Sequence, residues 1–238
     1  MVISSELLFI HIPKTGGTSC TDYLCQTLRG PVFCSSIKYL HASMHFNATL
    51  FEGYSHETLE EIYGSRDRIM AATGIDPTKL RNVFAVIRNP YALELSNYLF
   101  FRNGRENILK GPAFQVPHIQ DKVALAQGSF KNFVLESGYF RDDVAGQSFR
   151  TEDYLQLDGE IPNFLTVLRA EELDDCFPDL TRAFRQRDDV PFPRANASGG
   201  QGDMQLEDID RESRQAIHAK HAWLFDNGYY EREEVEIK

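Results

Sequence analysis

Two runs of mostly apolar residues stand out in the pattern of hydrophobic and polar positions along the chain. They cover residues 7–12 and 83–87, and each is followed by a turn-forming pair, Gly-Gly after the first run and Asn-Pro after the second. Short apolar runs without alternation are typical of strands that are buried on both faces of a parallel sheet. The pattern therefore predicts two central strands, each leading into a turn.

Helical patterns with capping residues follow both runs. Thr18 or Ser19 is suited to cap a helix after the glycines, and Ser55 is suited to cap a helix over residues 55–64. Pro90 fits the first turn of the helix after the second run. The pattern further predicts a candidate strand at 31–34, a helix at 129–138, two strands around a turn at Asp158 and Gly159, a helix at 171–186 and a final helix at 206–225.

The order of these elements and the chain length set the expected fold. Strands that alternate with helices predict an α/β fold with a mainly parallel sheet. A chain of 238 residues is long enough to bury a full core, and nothing in its composition demands a second domain. We therefore expect a single domain over residues 1–238.

The charge balance narrows the range of partners. The chain has 35 acidic and 25 basic residues, which give a formal net charge of −10. Binding to nucleic acid or to an anionic membrane relies on a basic surface, so the sequence predicts neither partner. An anionic ligand would have to be held by a local site.

The sequence favours a cytoplasmic location. Its first residues lack the basic start and cleavage site of a signal peptide, and no window approaches the roughly 20 apolar residues of a membrane span. The four cysteines, Cys20, Cys25, Cys34 and Cys176, show neither a C-x-x-C pair nor a zinc-ligand spacing. Buried free thiols are expected, as in a reducing compartment.

The first candidate site is the glycine-containing loop at residues 13–19, with the sequence PKTGGTS. A strand that feeds a glycine turn and then a helix directs backbone N–H groups and the positive end of the helix dipole toward one point. Lys14 precedes both glycines, whereas the lysine of a Walker loop follows the last glycine. The loop predicts an anion site of another kind, with a plain turn and a solvent-exposed lysine as the alternative.

The second candidate site combines Arg88 and Ser96, in the sequence VIRNPYALELSNY. Arg88 stands just after the second strand, and Ser96 follows eight residues later in the predicted helix. A guanidinium group and a hydroxyl together suit a phosphate monoester. A structural ion pair of Arg88 is the alternative.

Together the two segments resemble the sulfotransferases that use 3′-phosphoadenosine-5′-phosphosulfate (PAPS). FIHIPKTGGTS is similar to the 5′-phosphosulfate loop of that family, and FAVIRNPYALELSNY is similar to its 3′-phosphate motif. The later segments LTVLRAEEL, FPRANAS and AWLFDNGYYE resemble further family segments. The resemblance is closest to the carbohydrate O-sulfotransferases and their bacterial relatives. It implies a three-layer α/β/α fold of the P-loop NTPase-like type.

The resemblance also implies roles for individual residues in binding PAPS and releasing its product, 3′,5′-ADP (PAP). Lys14 would act in catalysis by stabilising the leaving phosphate, and no metal would be required. Ser198 would belong to a loop that closes over the nucleotide. The full set of donor-binding residues would be Lys14, Thr15, Gly16, Gly17, Thr18, Ser19, Arg88, Ser96 and Ser198.

A histidine is the expected base for the acceptor hydroxyl, because its pKa lies near the operating pH. The family motif His-x-Thr/Ser fits His56, which we favour, and also His41, the second choice. A surface or capping histidine is the alternative for either position. His11 lies within the first apolar run and is expected to be a core residue.

The expected reaction is sulfuryl transfer from PAPS to an acceptor hydroxyl by in-line displacement. The acceptor is expected to be a carbohydrate, with a protein tyrosine or a small phenol or alcohol as the alternative. Two alternatives of other classes are a P-loop phosphotransferase and a nucleotide-binding module without activity. The sequence leaves the acceptor itself and the oligomeric state open.

Overall fold

The structure is a computed structural model that describes residues 1–36, 48–103, 117–142, 148–193 and 204–233. Within these ranges the strands are β1 Val2–Ile3, β2 Leu8–Ile10, β3 Val32–Ser36, β4 Ala48–Glu52, β5 Val83–Ile87, β6 Arg141–Asp142, β7 Ser148–Phe149 and β8 Leu165–Arg169. The helices are α1 Gly17–Thr27, α2 Leu59–Gly64, α3 Arg66–Thr73, α4 Pro90–Asn103, α5 Pro117–Leu125, α6 Phe130–Glu136, α7 Leu173–Thr181, α8 Arg211–Lys220 and α9 Ala222–Asp226. The chain is an α/β protein, as the sequence predicts.

Six strands of the described residues form a sheet in the order β4-β3-β1-β2-β5-β8. The β2–β5, β5–β8 and β3–β4 pairs are parallel, and β1 is antiparallel to both of its neighbours. Every strand of this sheet except β1 therefore runs in one direction, so the carboxyl ends of β2, β4 and β5 lie at the same edge. Open α/β sheets bind their ligands at this edge.

Strands β2 and β5 are buried along their whole length, as the two apolar runs predict. Successive side chains of a strand point to opposite faces, so complete burial means that both faces of the sheet are covered here. On one face, Phe9 packs in a cluster with Tyr23 and Leu24 of α1 and with Phe177 of α7. This packing holds the amino end of α1 close to the end of β2.

The chain divides into two compact units, of which the first comprises Met1–Ile87 and Asp153–Ala197 and holds the six-stranded sheet. The second comprises Arg88–Glu152 and Ser198–Lys238. Its described helices α4, α5, α6, α8 and α9 pack around a separate aromatic core, in which Tyr91, Tyr98, Phe101, Phe133 and Phe225 take part. The single domain stays a prediction.

Three predicted elements are wrong in extent. The segment 171–186 contains α7, but the residues on either side form 3-10 turns at Ala170–Glu172 and Arg182–Phe184. The final helix is interrupted at His221, whose φ of −110° and ψ of 29° leave the helical range between α8 and α9. Asp158 and Gly159 form the predicted turn and have positive φ angles. The predicted strand before this turn does not form, because Leu157 and Glu160 make only an isolated β-bridge, and the next strand is β8.

Among the described residues, no helix combines the length and the apolar character that crossing a membrane requires.

Candidate functional site

The glycine loop connects β2 to α1 in the six residues 11–16. Gly16 is the N-cap of α1 in the left-handed conformation, with a φ of 89° and a ψ of 7°. The prediction of Thr18 or Ser19 as cap is therefore wrong, because both residues lie within the first turn of the helix. Lys14 also has a positive φ, 64°, which is uncommon for a residue other than glycine. A Cβ on Gly16 would lie 3.1 Å from Leu173 Cδ1, so glycine is favoured here by space as well as by conformation.

The amino end of α1 has the properties of an anion site. The first hydrogen bond of this end runs from Cys20 N to Gly16 O over 3.2 Å. The N–H groups of Gly17, Thr18 and Ser19 therefore precede the first hydrogen bond of the helix, and Gly16 has no side chain that could cap them. Three such donors at the positive end of an 11-residue helix favour a negatively charged ligand.

The side chains of the loop have different roles. Thr15 is fully buried, and its Oγ1 donates a hydrogen bond to Ile12 O over 3.0 Å. The Thr15 hydroxyl thus stabilises the turn. Ser19 is buried, whereas Lys14 and Thr18 are half-buried.

Gly17 is in close contact with the imidazole of His11. A Cβ on Gly17 would lie only 1.9 Å from His11 Cδ2 and 2.2 Å from His11 Nε2. His11 comes one residue after the end of β2 and is half-buried. The prediction of a core residue within the strand is therefore wrong, because β2 ends at Ile10 and the His11 ring lies at the start of α1.

His56 lies next to His11, in the segment between β4 and α2. Its Nδ1 is 2.8 Å from His11 O. A carbonyl oxygen only accepts, so Nδ1 must carry the proton, and Nε2 of the neutral ring is left as the acceptor. The ring centroid of His56 is 4.5 Å from that of His11 and 5.6 Å from that of Tyr54. His56 therefore has the tautomer that a base acting through Nε2 needs.

The helix after His56 begins later than the sequence pattern predicts. Its N-cap is Thr58, whose Oγ1 accepts from Glu61 N over 3.1 Å, while Thr58 N donates to Glu61 Oε2 over 2.8 Å. Ser55 instead donates to Ser35 O over 3.4 Å. The prediction of Ser55 as cap is thus wrong, and His56 precedes the helix instead of opening it.

Thr58→Ala is expected to lower the free energy of unfolding by about 1 kcal/mol, because it removes one half of a reciprocal cap. Ser55→Ala is the matched control and is expected to change the free energy by less than about 0.5 kcal/mol. Urea unfolding followed by far-UV circular dichroism measures both values. A larger loss in Ser55→Ala than in Thr58→Ala would contradict the assignment of the cap.

The second sequence motif begins the second unit. Arg88 follows β5 directly, and Asn89 Oδ1 accepts hydrogen bonds from Tyr91 N over 3.0 Å and from Ala92 N over 3.3 Å. Asn89 therefore caps α4, and Pro90 occupies its first turn as predicted. The Asn-Pro pair thus sets the start of α4 immediately after Arg88.

Ser96 lies in the interior of α4 and is only 2% exposed. It follows Pro90 by six residues, which corresponds to about 9 Å along the helix axis. Glu94 and Asn97 of the same helix are also buried. Among the described residues, Asn97 Oδ1 has no hydrogen-bond partner. The packing of α4 therefore does not explain why a polar side chain is buried at this position.

The buried carboxylate on α4 has two partners within the second unit, a histidine and a lysine. Glu94 Oε1 is 2.7 Å from His221 Nε2, and Glu94 Oε2 is 3.0 Å from Lys220 Nζ. Burial raises the pKa of Glu94, but the charge of Lys220 and the hydrogen bond from His221 outweigh it and lower the pKa from 4.5 to about 2. Glu94 is therefore ionised at neutral pH, although it is buried. The local pattern missed this network, and a lone glutamate among the apolar residues of α4 was its only signal.

Within the first unit, the structure brings together three of the features that the sequence singles out. His56 contacts His11, His11 contacts Gly17, and Gly17 begins the helix whose loop carries Lys14. Arg88 and Ser96 belong to the second unit. His41 and Ser198 lie outside the described residues.

Comparisons of the chain with family models, with curated proteins and with solved structures found no match. The resemblance to sulfotransferases therefore stands on the sequence motifs, and the geometry of the described residues is the other support for a function.

Proposed function

We propose that the chain is a PAPS-dependent O-sulfotransferase with a three-layer, P-loop-like α/β/α fold. The observation that carries this proposal is the β2–loop–α1 segment. It sets Lys14 ahead of the glycines, places the amino end of α1 directly after them and has a histidine pair against Gly17.

The residues of the glycine loop fit the 5′-phosphosulfate of the donor. The N–H groups at the start of α1 suit the phosphate. Lys14, at the start of the turn, is assigned to the oxygen that bridges phosphorus and sulfur. Arg88, Ser96 and Ser198 are assigned to the 3′-phosphate side by the resemblance alone.

The chemistry that these residues would support is a direct displacement. His56 Nε2 takes the proton of the acceptor hydroxyl as its oxygen attacks sulfur, and the bond from sulfur to the bridging oxygen breaks. Lys14 stabilises the negative charge that the bridging oxygen of PAP retains. A sulfuryl group carries less charge than a γ-phosphoryl group, so positioning and one cation can serve where a kinase uses Mg²⁺.

The acceptor is proposed to be a carbohydrate hydroxyl, because the resemblance is closest to carbohydrate O-sulfotransferases. A phenol or a protein tyrosine would be activated by the same base. His56 is proposed as the base because its Nδ1 is bound by His11 O, which leaves Nε2 as the acceptor. His41 remains the second choice from the sequence.

Thermal unfolding with nucleotides tests the donor. PAP at about 100 times its Kd is expected to raise the Tm by roughly 5–10 °C, since ligand binding at that excess stabilises the folded state by about 2.7 kcal/mol. AMP, which lacks the 3′-phosphate, is the matched control and is expected to give a smaller shift. Stabilisation by ATP with Mg²⁺ but not by PAP would contradict the proposal and favour a phosphotransferase.

Transfer of labelled sulfate from PAPS to a panel of glycans, phenols and peptides tests the reaction. We expect transfer by the wild type and loss of transfer in His56→Ala. Full activity of His56→Ala together with loss in His41→Ala would contradict the assignment of the base. Binding of PAP without transfer to any acceptor would favour a nucleotide-binding module.

A further inference from the structure

We infer that His11 is a positioning residue for His56 and that it connects the base to the glycine loop. The inference rests on the proposed function, because it concerns a residue to which neither the sequence motifs nor the resemblance gives a role. His11 would touch neither donor nor acceptor. It would act through the orientation of His56.

Two separate contacts connect His11 to His56. The carbonyl oxygen of His11 accepts the Nδ1–H of His56 over 2.8 Å, which fixes the tautomer. The imidazole of His11 also meets the His56 ring with an interplanar angle of 73°, an edge-to-face arrangement. The first contact selects the nitrogen that is left as acceptor, and the second restricts the rotation of the ring that carries it.

The position of the His11 ring is in turn determined by Gly17. The space that a side chain at residue 17 would occupy is filled by His11 Cδ2 and Nε2, at 1.9 and 2.2 Å from the ideal Cβ position. Real Cβ atoms do not approach other atoms this closely, so only glycine permits the observed position of the ring. Gly17 has no positive φ, and the contact with His11 is therefore the reason for glycine at this position.

These contacts form one continuous chain from the anion site to the base. Gly17 is the first residue of α1, and its N–H is one of the three donors at the amino end of that helix. A displacement of about 1 Å at a catalytic group can lower a rate by 10²-fold. A change at Gly17 that moves His11 should therefore reach His56, although Gly17 and His56 are 39 positions apart in the sequence.

The test is a double-mutant cycle with His11→Ala, Gly17→Ala and the double variant, each assayed for kcat, donor KM and PAP binding. We expect His11→Ala to lower kcat by about 10- to 100-fold with donor KM within about threefold. Gly17→Ala is expected to lower kcat by a similar factor. In the His11→Ala background, Gly17→Ala should lower kcat by less than about threefold, because the ring that it displaces is gone. Additive effects would overturn the inference.

Gly64→Ala is the matched control, because a Cβ on Gly64 of α2 would meet no atom within 4 Å. Its kcat is expected to equal that of the wild type. If His11→Ala does not fold, Gly17→Ala still disturbs the same contact from the opposite side. Unchanged kcat in a folded Gly17→Ala would then overturn the inference.

Histidine NMR separates this inference from the proposed function, because it needs no turnover. The ring carbon and nitrogen shifts of His56 are expected to report the Nδ1–H tautomer in the wild type and also in His11→Ala, because the carbonyl oxygen of residue 11 is kept. The NMR order parameters of the His56 ring are expected to fall in His11→Ala, because the ring contact that restricts its rotation is lost. Unchanged order parameters together with an unchanged kcat in His11→Ala would overturn the positioning role. A wild type that shows the Nδ1–H tautomer but neither binds PAP nor transfers sulfate would refute the proposed function instead.

Discussion

Replacing Lys14 with alanine is expected to lower kcat for sulfate transfer by about 10²- to 10³-fold. The proposed partner of Lys14 is the bridging oxygen, which gains negative charge only as the bond to sulfur breaks. A preorganised donor at such a position contributes mainly to the transition state, and removal of one typically lowers kcat by this factor. Affinity for PAP should fall far less, since the N–H groups of the first turn of α1 remain.

Lys79→Ala is the control for the loss of one positive charge in the same unit. The Lys79 side chain is 80% exposed, and its Nζ lies 3.9 Å from Asp76 Oδ2. The kcat of Lys79→Ala is therefore expected to stay within about twofold of the wild type. Lys14→Arg keeps the charge but not the shape of the ammonium group, and it should recover only part of the rate. An increase in donor KM at unchanged kcat in Lys14→Ala would assign the lysine to ground-state binding instead.

The two central strands could be predicted because their signal is local. Both apolar runs are followed within a few residues by glycine or proline, so their type and their ends depend on neighbours in the sequence. Strand β1 has only two residues, Val2 and Ile3, and exists because β2 and β3 pair with it on either side. No local pattern of two residues can indicate such pairing.

The start of α2 could have been predicted from the sequence by a stricter criterion. Ser55 and Thr58 are both suitable caps, but only Thr58 has a glutamate three residues later, Glu61, and so completes the capping box. The position of His11 could not be predicted in this way. Its contacts are with Gly17 and with His56, which is 45 residues away, and the fold alone brings them together.

The partners of the buried charge in the second unit could not be predicted from the local sequence pattern either. Glu94 stands among apolar residues of α4, and its partners Lys220 and His221 come 126 and 127 positions later. Glu94 is 1% exposed, and Lys122, whose pKa burial lowers, adds another cation that interacts with it. The sequence shows an unusual glutamate, but only the fold shows what neutralises it.

Glu94→Ala is expected to lower the free energy of unfolding by about 3–5 kcal/mol. Removing one partner of a buried ion pair leaves the other charges without compensation, and this loss exceeds the net contribution of the pair itself. Glu136→Ala is the matched control, because Glu136 ends α6 in the same unit and is exposed, and it should change the free energy by less than about 0.5 kcal/mol. Urea unfolding followed by the fluorescence of Trp223 measures both values, since Trp223 is the only tryptophan and lies in the second unit.

The same carboxylate predicts a loss of stability in acid. Because the pKa of Glu94 is about 2 in the folded protein and 4.5 ordinarily, its ionised form contributes fully above about pH 5, and the contribution is lost as the pH falls toward 2. A shift of this size corresponds to roughly 3 kcal/mol. Glu94→Gln cannot titrate there, so the difference in unfolding free energy between wild type and Glu94→Gln should shrink steadily from pH 5 to pH 2.5. A difference that stays constant over this interval would show that Glu94 is not the group responsible.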